Sequence, residues 1–196
     1  MSGIRARSTP PIPGLSSLPE LNVRTYVTST RKPGVYFFSL DAASRAAVWG
    51  ARNFYHLPYF YAQMKFNNEG GAIHYESIRK DKWVPRFSPT SPKPGRLNAQ
   101  FRGAYRPIGP VGAKTELDHF LTERYCLYTV HQGKLYRCDI HHLPWSLQDA
   151  EAQIEQNTVA EAAGITLPNS APQLRFAKRL DVLIWPLQLE NGASVA

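Results

Sequence analysis

Short stretches in which apolar and polar residues alternate recur along this chain, and that period of two confines it to a fold built mainly of β-strands. In ELNVRTYVT, Leu21, Val23 and Val27 point one way, and Asn22, Arg24 and Tyr26 the other. RLNAQFRGAY sets Leu97, Ala99 and Phe101 against Asn98, Gln100 and Arg102. VYFFSL reads as a buried strand, entered through an RKPG turn in which Gly34 supplies conformational freedom. NNEGG joins YFYAQMKF to AIHYESIR as a hairpin, and HQGK does the same for RYCLYTV and KLYRCDIHH. Leu174 to Ala177 and Asp181 to Leu189 read as late strands, and SPTSPKPG as a loop.

Helices are fewer. Asp41 can cap one running to about Phe54, with Val48, Ala51 and Tyr55 on one face and Pro58 forcing its end near Leu57. Thr115 caps the short TELDHFL. Ser146 with Asp149 resembles a capping box, which predicts a helix over LQDAEAQIEQNTVAEAA that stops at Gly164. Roughly eight or nine strands and two or three helices make an α+β, mostly β domain, closed or nearly closed into an antiparallel barrel. The 196 residues fit one such domain, with residues 1–19 as an irregular arm.

No stretch of about eighteen apolar residues is present, which argues against a membrane span. MSGIRARSTPPIPG has arginines but no apolar run after them, so it does not read as a secretory signal. Cys126 and Cys138 sit in consecutive strands and read as reduced core thiols, which places the chain in the cytoplasm. The net charge of +8 is concentrated between Arg79 and Arg106, where Arg79, Lys80, Lys82, Arg86, Lys93, Arg96, Arg102 and Arg106 meet one acid, Asp81. Trp83, Phe87, Phe101 and Tyr105 are interleaved, a composition that nucleic-acid surfaces use. Prolines and glycine break the run and no nucleic-acid motif accompanies it. Solvated strands with a basic loop are therefore the favoured reading of segment 79–106, and a nucleic-acid partner the lesser one.

The segment ARNFYHLPYFYA, Ala51 to Ala62, resembles the acetoacetate decarboxylase motif, roughly Gly-Arg-Glu-hydrophobic-Trp-Gly-Phe-Pro-Lys-Lys. Arg52 matches its arginine and Pro58 its proline, and PELNVRTYV resembles that family's Tyr-Asn-Glu strand, with Glu20 as the glutamate. The chain is more closely similar to the YqjF-like family of bacterial proteins of unknown function, a branch of the same superfold. PPIPGLSSLPELNVRTYV, KPGVYFFSLDA, FYHLPYFYA, FLTERYCLYT, IHHLPW and RLDV carry that likeness along nearly the whole chain. The resemblance implies an acetoacetate-decarboxylase-like barrel. Members of the family carry several tens of residues before the segment that begins here at Met1, so it also implies an N-terminally truncated barrel lacking one or two strands.

The decarboxylase forms a Schiff base between a lysine and a ketone, and a second lysine with a desolvated pocket keeps that amine neutral. The two lysine positions match Tyr59 and Phe60, neither of which can form an imine. Lys65 shares the strand parity of Tyr59 but lies roughly 20 Å further along an extended strand, too far to substitute.

Other polar groups remain. Arg24 is either a fork for a carboxylate or a surface arginine paired with an acid. Glu20 can orient Arg24 or act as a base, and Arg52 can hold an anion or tie its helix to the sheet. His56 and Tyr59 flank Pro58 as a candidate acid–base pair, set against a merely hydrogen-bonded, half-buried pair, and Tyr61 shares the face of Tyr59. His141 and His142 face opposite sides of a strand, so no metal site is expected, and no motif implies a cofactor. These residues point to a protein that binds a small molecule, an organic acid by the arginines, with non-covalent acid–base chemistry. The alternative is a sensor that keeps the pocket without turnover.

Overall fold

The computed structural model describes residues 2–6, 18–29, 31–81 and 98–194. In chain order they form β1 (Ser2–Ala6), β2 (Glu20–Ser29), β3 (Lys32–Ala42), α1 (Arg45–Phe54), β4 (Tyr59–Glu69), β5 (Ala72–Arg79) and β6 (Gln100–Val111). Then come α2 (Glu116–Thr122), β7 (Cys126–His131), β8 (Lys134–His141), β9 (Gln148–Asn157), α3 (Val159–Ala162), β10 (Arg175–Phe176), β11 (Leu180–Ile184) and β12 (Gln188–Ser194). The strands join in the order β1-β11-β8-β7-β3-β4-β5-β6-β9-β10, with β12 also on β8 and β2 on β3. The α+β, mostly β class is therefore as the sequence predicts. The sheet stays open and is mixed, since β1/β11, β3/β4 and β3/β7 are parallel, so "barrel" describes it only loosely.

Parallel β3 and β4 need a crossover, and α1 supplies it. Its apolar face packs Val48, Ala51 and Tyr55 on a core of Val35, Leu40, Leu57, Tyr59 and Leu127. Its cap is Ser44, whose hydroxyl accepts from the Ala47 amide, and not Asp41 as expected. Asp41 is instead drawn into β3 and fully buried, because an ion pair claims its carboxylate. A second core forms on the other side of the sheet from Ala99, Val159 and Ala162 with Leu21, Val23 and Phe101. Thr115 caps α2 in a reciprocal capping box with Asp118, and Arg175 bonds the Asp118 carboxylate, tying β10 to this helix.

The predicted helix over residues 147–163 is largely a strand. Residues 148–157 form β9 against β6, and only Val159–Ala162 is helical before Gly164, at φ 80°, ends the turn. The stretch is rich in good helix formers, but pairing with β6 satisfies backbone groups that β6 would otherwise leave open. Gly103 is the local clue: a Cβ there would lie 2.9 Å from the Gln153 carbonyl, so its bareness lets β9 approach.

The expected turns at Gly70–Gly71 and Gln132–Gly133 are present, all four residues having positive φ. In the first hairpin connection, between β2 and β3, the left-handed residue is Arg31, at φ 65°. Gly34 is needed for a different reason than turn freedom. A Cβ on it would fall 2.6 Å from the Cys126 carbonyl oxygen and 2.8 Å from the Tyr128 ring. Gly34→Ala is therefore expected to destabilise the protein by about 1–3 kcal/mol through overpacking, read as a lowered urea midpoint at unchanged slope. The arm predicted as irregular contributes β1, paired with β11; residues 7–17 lie outside the described residues. The second late strand divides into β11 and β12 around Pro186.

Candidate functional site

Tyr59 opens β4 directly after Pro58. The register sets it beside Leu40, and Glu20, the first residue of β2, opposite Ala42. Cross-strand neighbours share a face, so both side chains lie on the side that α1 covers. The Tyr59 hydroxyl donates to Glu20 Oε2 at 2.6 Å. Loss of hydration raises the Glu20 carboxyl above its ordinary range, against hydrogen bonds from Tyr59 and Asn22 and the charge of Arg24. Burial, then the Glu20 charge, pushes the Tyr59 phenol well up. The pair thus consists of a phenol fixed as a donor and a carboxylate disposed to take up a proton.

Folding raises the Glu20 value, so the folded chain holds that proton more tightly than the unfolded chain. Stability from this group is full below its ordinary value of 4.5 and is lost as pH rises through the higher folded value. Glu20→Gln keeps a hydrogen-bond acceptor and cannot ionise. Its melting temperature is expected to decline less than wild type across that window, and equal slopes would refute the assignment.

Separately, α1 and β4 frame a cleft of about 400 Å³ lined by Arg45, Trp49, Arg52, Tyr61 and Asp81, among others, with neither Tyr59 nor Glu20 among its described lining residues. Arg52 donates from Nε to the Tyr59 carbonyl at 2.7 Å and pairs with Asp81, which also accepts from the Tyr61 amide. Arg52 therefore ties its helix to the sheet. Arg45, which no sequence motif singles out, lies 3.8 Å from the Tyr61 ring centroid. It is exposed and has no carboxylate partner among the described residues.

The structure thus brings Glu20, Tyr59, Arg52 and Tyr61 together. It sends two other candidates elsewhere. Arg24 follows a bulge in β2, donates to the Leu121 carbonyl and lies over the Tyr26 and Trp145 rings. His56 sits at φ 51°, its carbonyl bonded by Thr129 and its ring stacked on His131 at 3.7 Å. Burial, then His131, lowers its pKa. The partner of Tyr59 is Glu20, not His56.

A second polar cluster lies on the opposite face, where Leu21 stands across from Asp41, Phe60 beside Asp41, and Ala62 across from Arg79. Arg79 Nε meets Asp41 Oδ1 at 2.7 Å, with side chains 1% and 0% exposed. The guanidinium centre lies 3.9 Å from the Phe60 ring centroid. Arg79 Nη1 and Nη2, Asp41 Oδ2 and the hydroxyls of Ser39 and Ser77 have no hydrogen-bond partner among the described residues. Each buried atom left so costs about 1–3 kcal/mol. Burial raises the Asp41 carboxyl despite the arginine. AIHYESIR carried the signal: its alternation puts Tyr75, Ser77 and Arg79 on one side, and the inward side of a strand seldom carries serine and arginine.

The same ion pair revises the basic segment. Arg79 is interior, Arg102 pairs with Glu76 and Arg106 with Glu151, acids supplied from outside the run. Phe101 packs in the second core. Lys82, Trp83, Arg86, Phe87, Lys93 and Arg96 lie outside the described residues. Cys126 and Cys138 are buried free thiols, and burial pushes Cys138 up to about 11. His142 bonds the carbonyls of Leu143 and Arg124, while His141 is exposed. Among the described residues, no helix is long and apolar enough to cross a membrane, and no three His, Cys, Asp or Glu side chains gather as a metal group.

The fold is that of the acetoacetate-decarboxylase-like proteins. The crystal structure of acetoacetate decarboxylase from Legionella pneumophila aligns with a TM-score of 0.52 at 13% identity, over 94% of this chain and 69% of that one. A second acetoacetate decarboxylase structure aligns with a TM-score of 0.57 at 11% identity, over 91% and 70%. Within that class the chain belongs to the DUF2071 family, described as an uncharacterized conserved protein, whose model matches residues 1–181. It is 54% identical over 190 residues to the uncharacterized protein YqjF of Bacillus subtilis (strain 168), covering 96% of this chain and 73% of that protein.

Proposed function

We propose that this protein binds a small organic acid in the cleft beside α1 and handles its proton through Tyr59 and Glu20, without a covalent bond to the ligand. The observation that carries this reading is the Tyr59–Glu20 hydrogen bond at the position where the resemblance places an imine-forming lysine. The structural neighbours are named for a keto acid, acetoacetate, which motivates the ligand class; at their low identity the likeness speaks for the fold alone. Lys65 does not replace the amine: its side chain is 74% exposed and pairs with Glu76. Arg52 and Arg24 already serve protein acceptors, so Arg45 is the cation we assign to the ligand carboxylate. The cytosol suits two buried reduced thiols.

Calorimetric titration with acetate, pyruvate and acetoacetate tests this reading. Tyr59→Phe, which removes only a hydroxyl, and Arg45→Ala are each expected to weaken the best-bound acid about tenfold, the worth of one good hydrogen bond or ion contact. Affinities equal to wild type in both variants would overturn it. A phenol held protonated also suits a binding protein without turnover. Mass spectrometry of the purified protein separates the two uses: a retained acid that is never converted indicates the sensor.

A further inference from the structure

Arg79 reaches Asp41 across β4. It stands opposite Ala62, whose small side chain lets the arginine span the strand, and its guanidinium rests on the Phe60 ring. The ion pair engages only Nε and Oδ1. Two donors, Nη1 and Nη2, and one acceptor, Asp41 Oδ2, have no partner among the described residues in a site shielded from solvent. An ionised carboxylate would bring a second negative charge beside Asp41, which a buried site disfavours. By its count of donors and acceptors an undissociated carboxyl group matches all three atoms: a carbonyl oxygen to accept from Nη1 and Nη2, and a hydroxyl to donate to Oδ2.

We propose that Arg79 and Asp41 form an interior receptor for the undissociated carboxyl group of a small organic acid, which takes up one proton as it binds at neutral pH. Ser39 and Ser77, two residues from Asp41 and Arg79 on the same face, extend the polar line on either side. The receptor faces away from Tyr59 and Glu20 and stands on its own observation. Among the described residues, Tyr75 of β5 is the titratable neighbour on its face, with Tyr105 beyond it. Glu20 of β2 and Asp81, bonded to Arg52, lie within electrostatic reach. Strand β4 presents Phe60, Ala62, Met64 and Phe66, and β6 presents Phe101, none of them titratable.

Acetate and formate are the probes. Titration of the full chain in buffers of different ionisation enthalpy is expected to show about one proton taken up per bound acid, with affinity falling roughly tenfold per pH unit above the pKa of the acid. Asp41→Asn leaves a buried cation and no competing carboxylate. It is expected to bind the ionised acid without proton uptake and with affinity independent of pH. Carbon-13-labelled acetate at pH 7 should give, apart from any carboxylate held at Arg45, a bound resonance of the undissociated acid that persists in the surface variant Arg45→Ala. In Arg45→Ala, where the cleft cation is gone, absence of binding, binding without proton uptake, or a bound resonance only at the carboxylate position would each overturn the proposal. So would proton uptake that disappears in Tyr59→Phe, which would assign the ligand to the other face.

Discussion

Arg79→Ala is expected to lower the stability of the protein by about 3–5 kcal/mol, because it strands the Asp41 carboxylate in the interior without its counter-charge. For a chain of this size that corresponds to roughly 10–15 °C in melting temperature. The loss should come from the stranded charge and not from the missing contact. Replacing both partners by apolar residues of similar volume, Asp41→Leu with Arg79→Met, is therefore expected to recover most of it. A double variant no better than the single would show that the pair itself stabilises the fold. The contrast matters for function: if the double variant recovers stability, an ion pair with three atoms unpartnered among the described residues is better explained by a ligand than by folding.

Phe60→Ala should be as damaging, at about 3–5 kcal/mol, as expected for a fully buried aromatic side chain. The ring fills the second face of the sheet and is the platform under the Arg79 guanidinium, so its removal opens a cavity and loosens the ion pair together. Urea unfolding monitored by tryptophan fluorescence reads the effect; a loss under about 1 kcal/mol would mean that the site collapses to refill the space. Phe60→Lys, which restores the lysine of the family motif at this position, should be worse still. Tyr59 and Phe60 point to opposite faces of β4, so a lysine at 60 would place an unpaired cation against Arg79.

What could be read in the sequence was local. The turns at Gly70–Gly71 and Gln132–Gly133, the Thr115 cap and the apolar face Val48, Ala51 and Tyr55 each depend on residues a few positions apart. Glu20 and Tyr59 were legible through a resemblance, and their hydrogen bond, between residues 39 apart, only in the fold. What stayed hidden was set by distant partners. Residues 148–157 carry helix-forming side chains and became β9 because β6 offered an unpaired edge. Asp41 looked like a cap until Arg79, 38 residues away, claimed it. Arg79 in turn looked like the start of a basic surface until strand pairing turned it inward. His56 was paired with Tyr59 on proximity in sequence, but its left-handed backbone directs the ring to His131.

A phenol, hydrogen-bonded to Glu20, stands where the resemblance to the acetoacetate decarboxylase motif would put an amine, and the chemistry proposed for the cleft depends on that replacement. Incubation with pyruvate and borohydride, followed by intact-mass measurement and peptide mapping, tests it directly. The expected result is protein of unchanged mass under conditions where pyruvate still raises the melting temperature. A reduced adduct on any lysine near the cleft would contradict it.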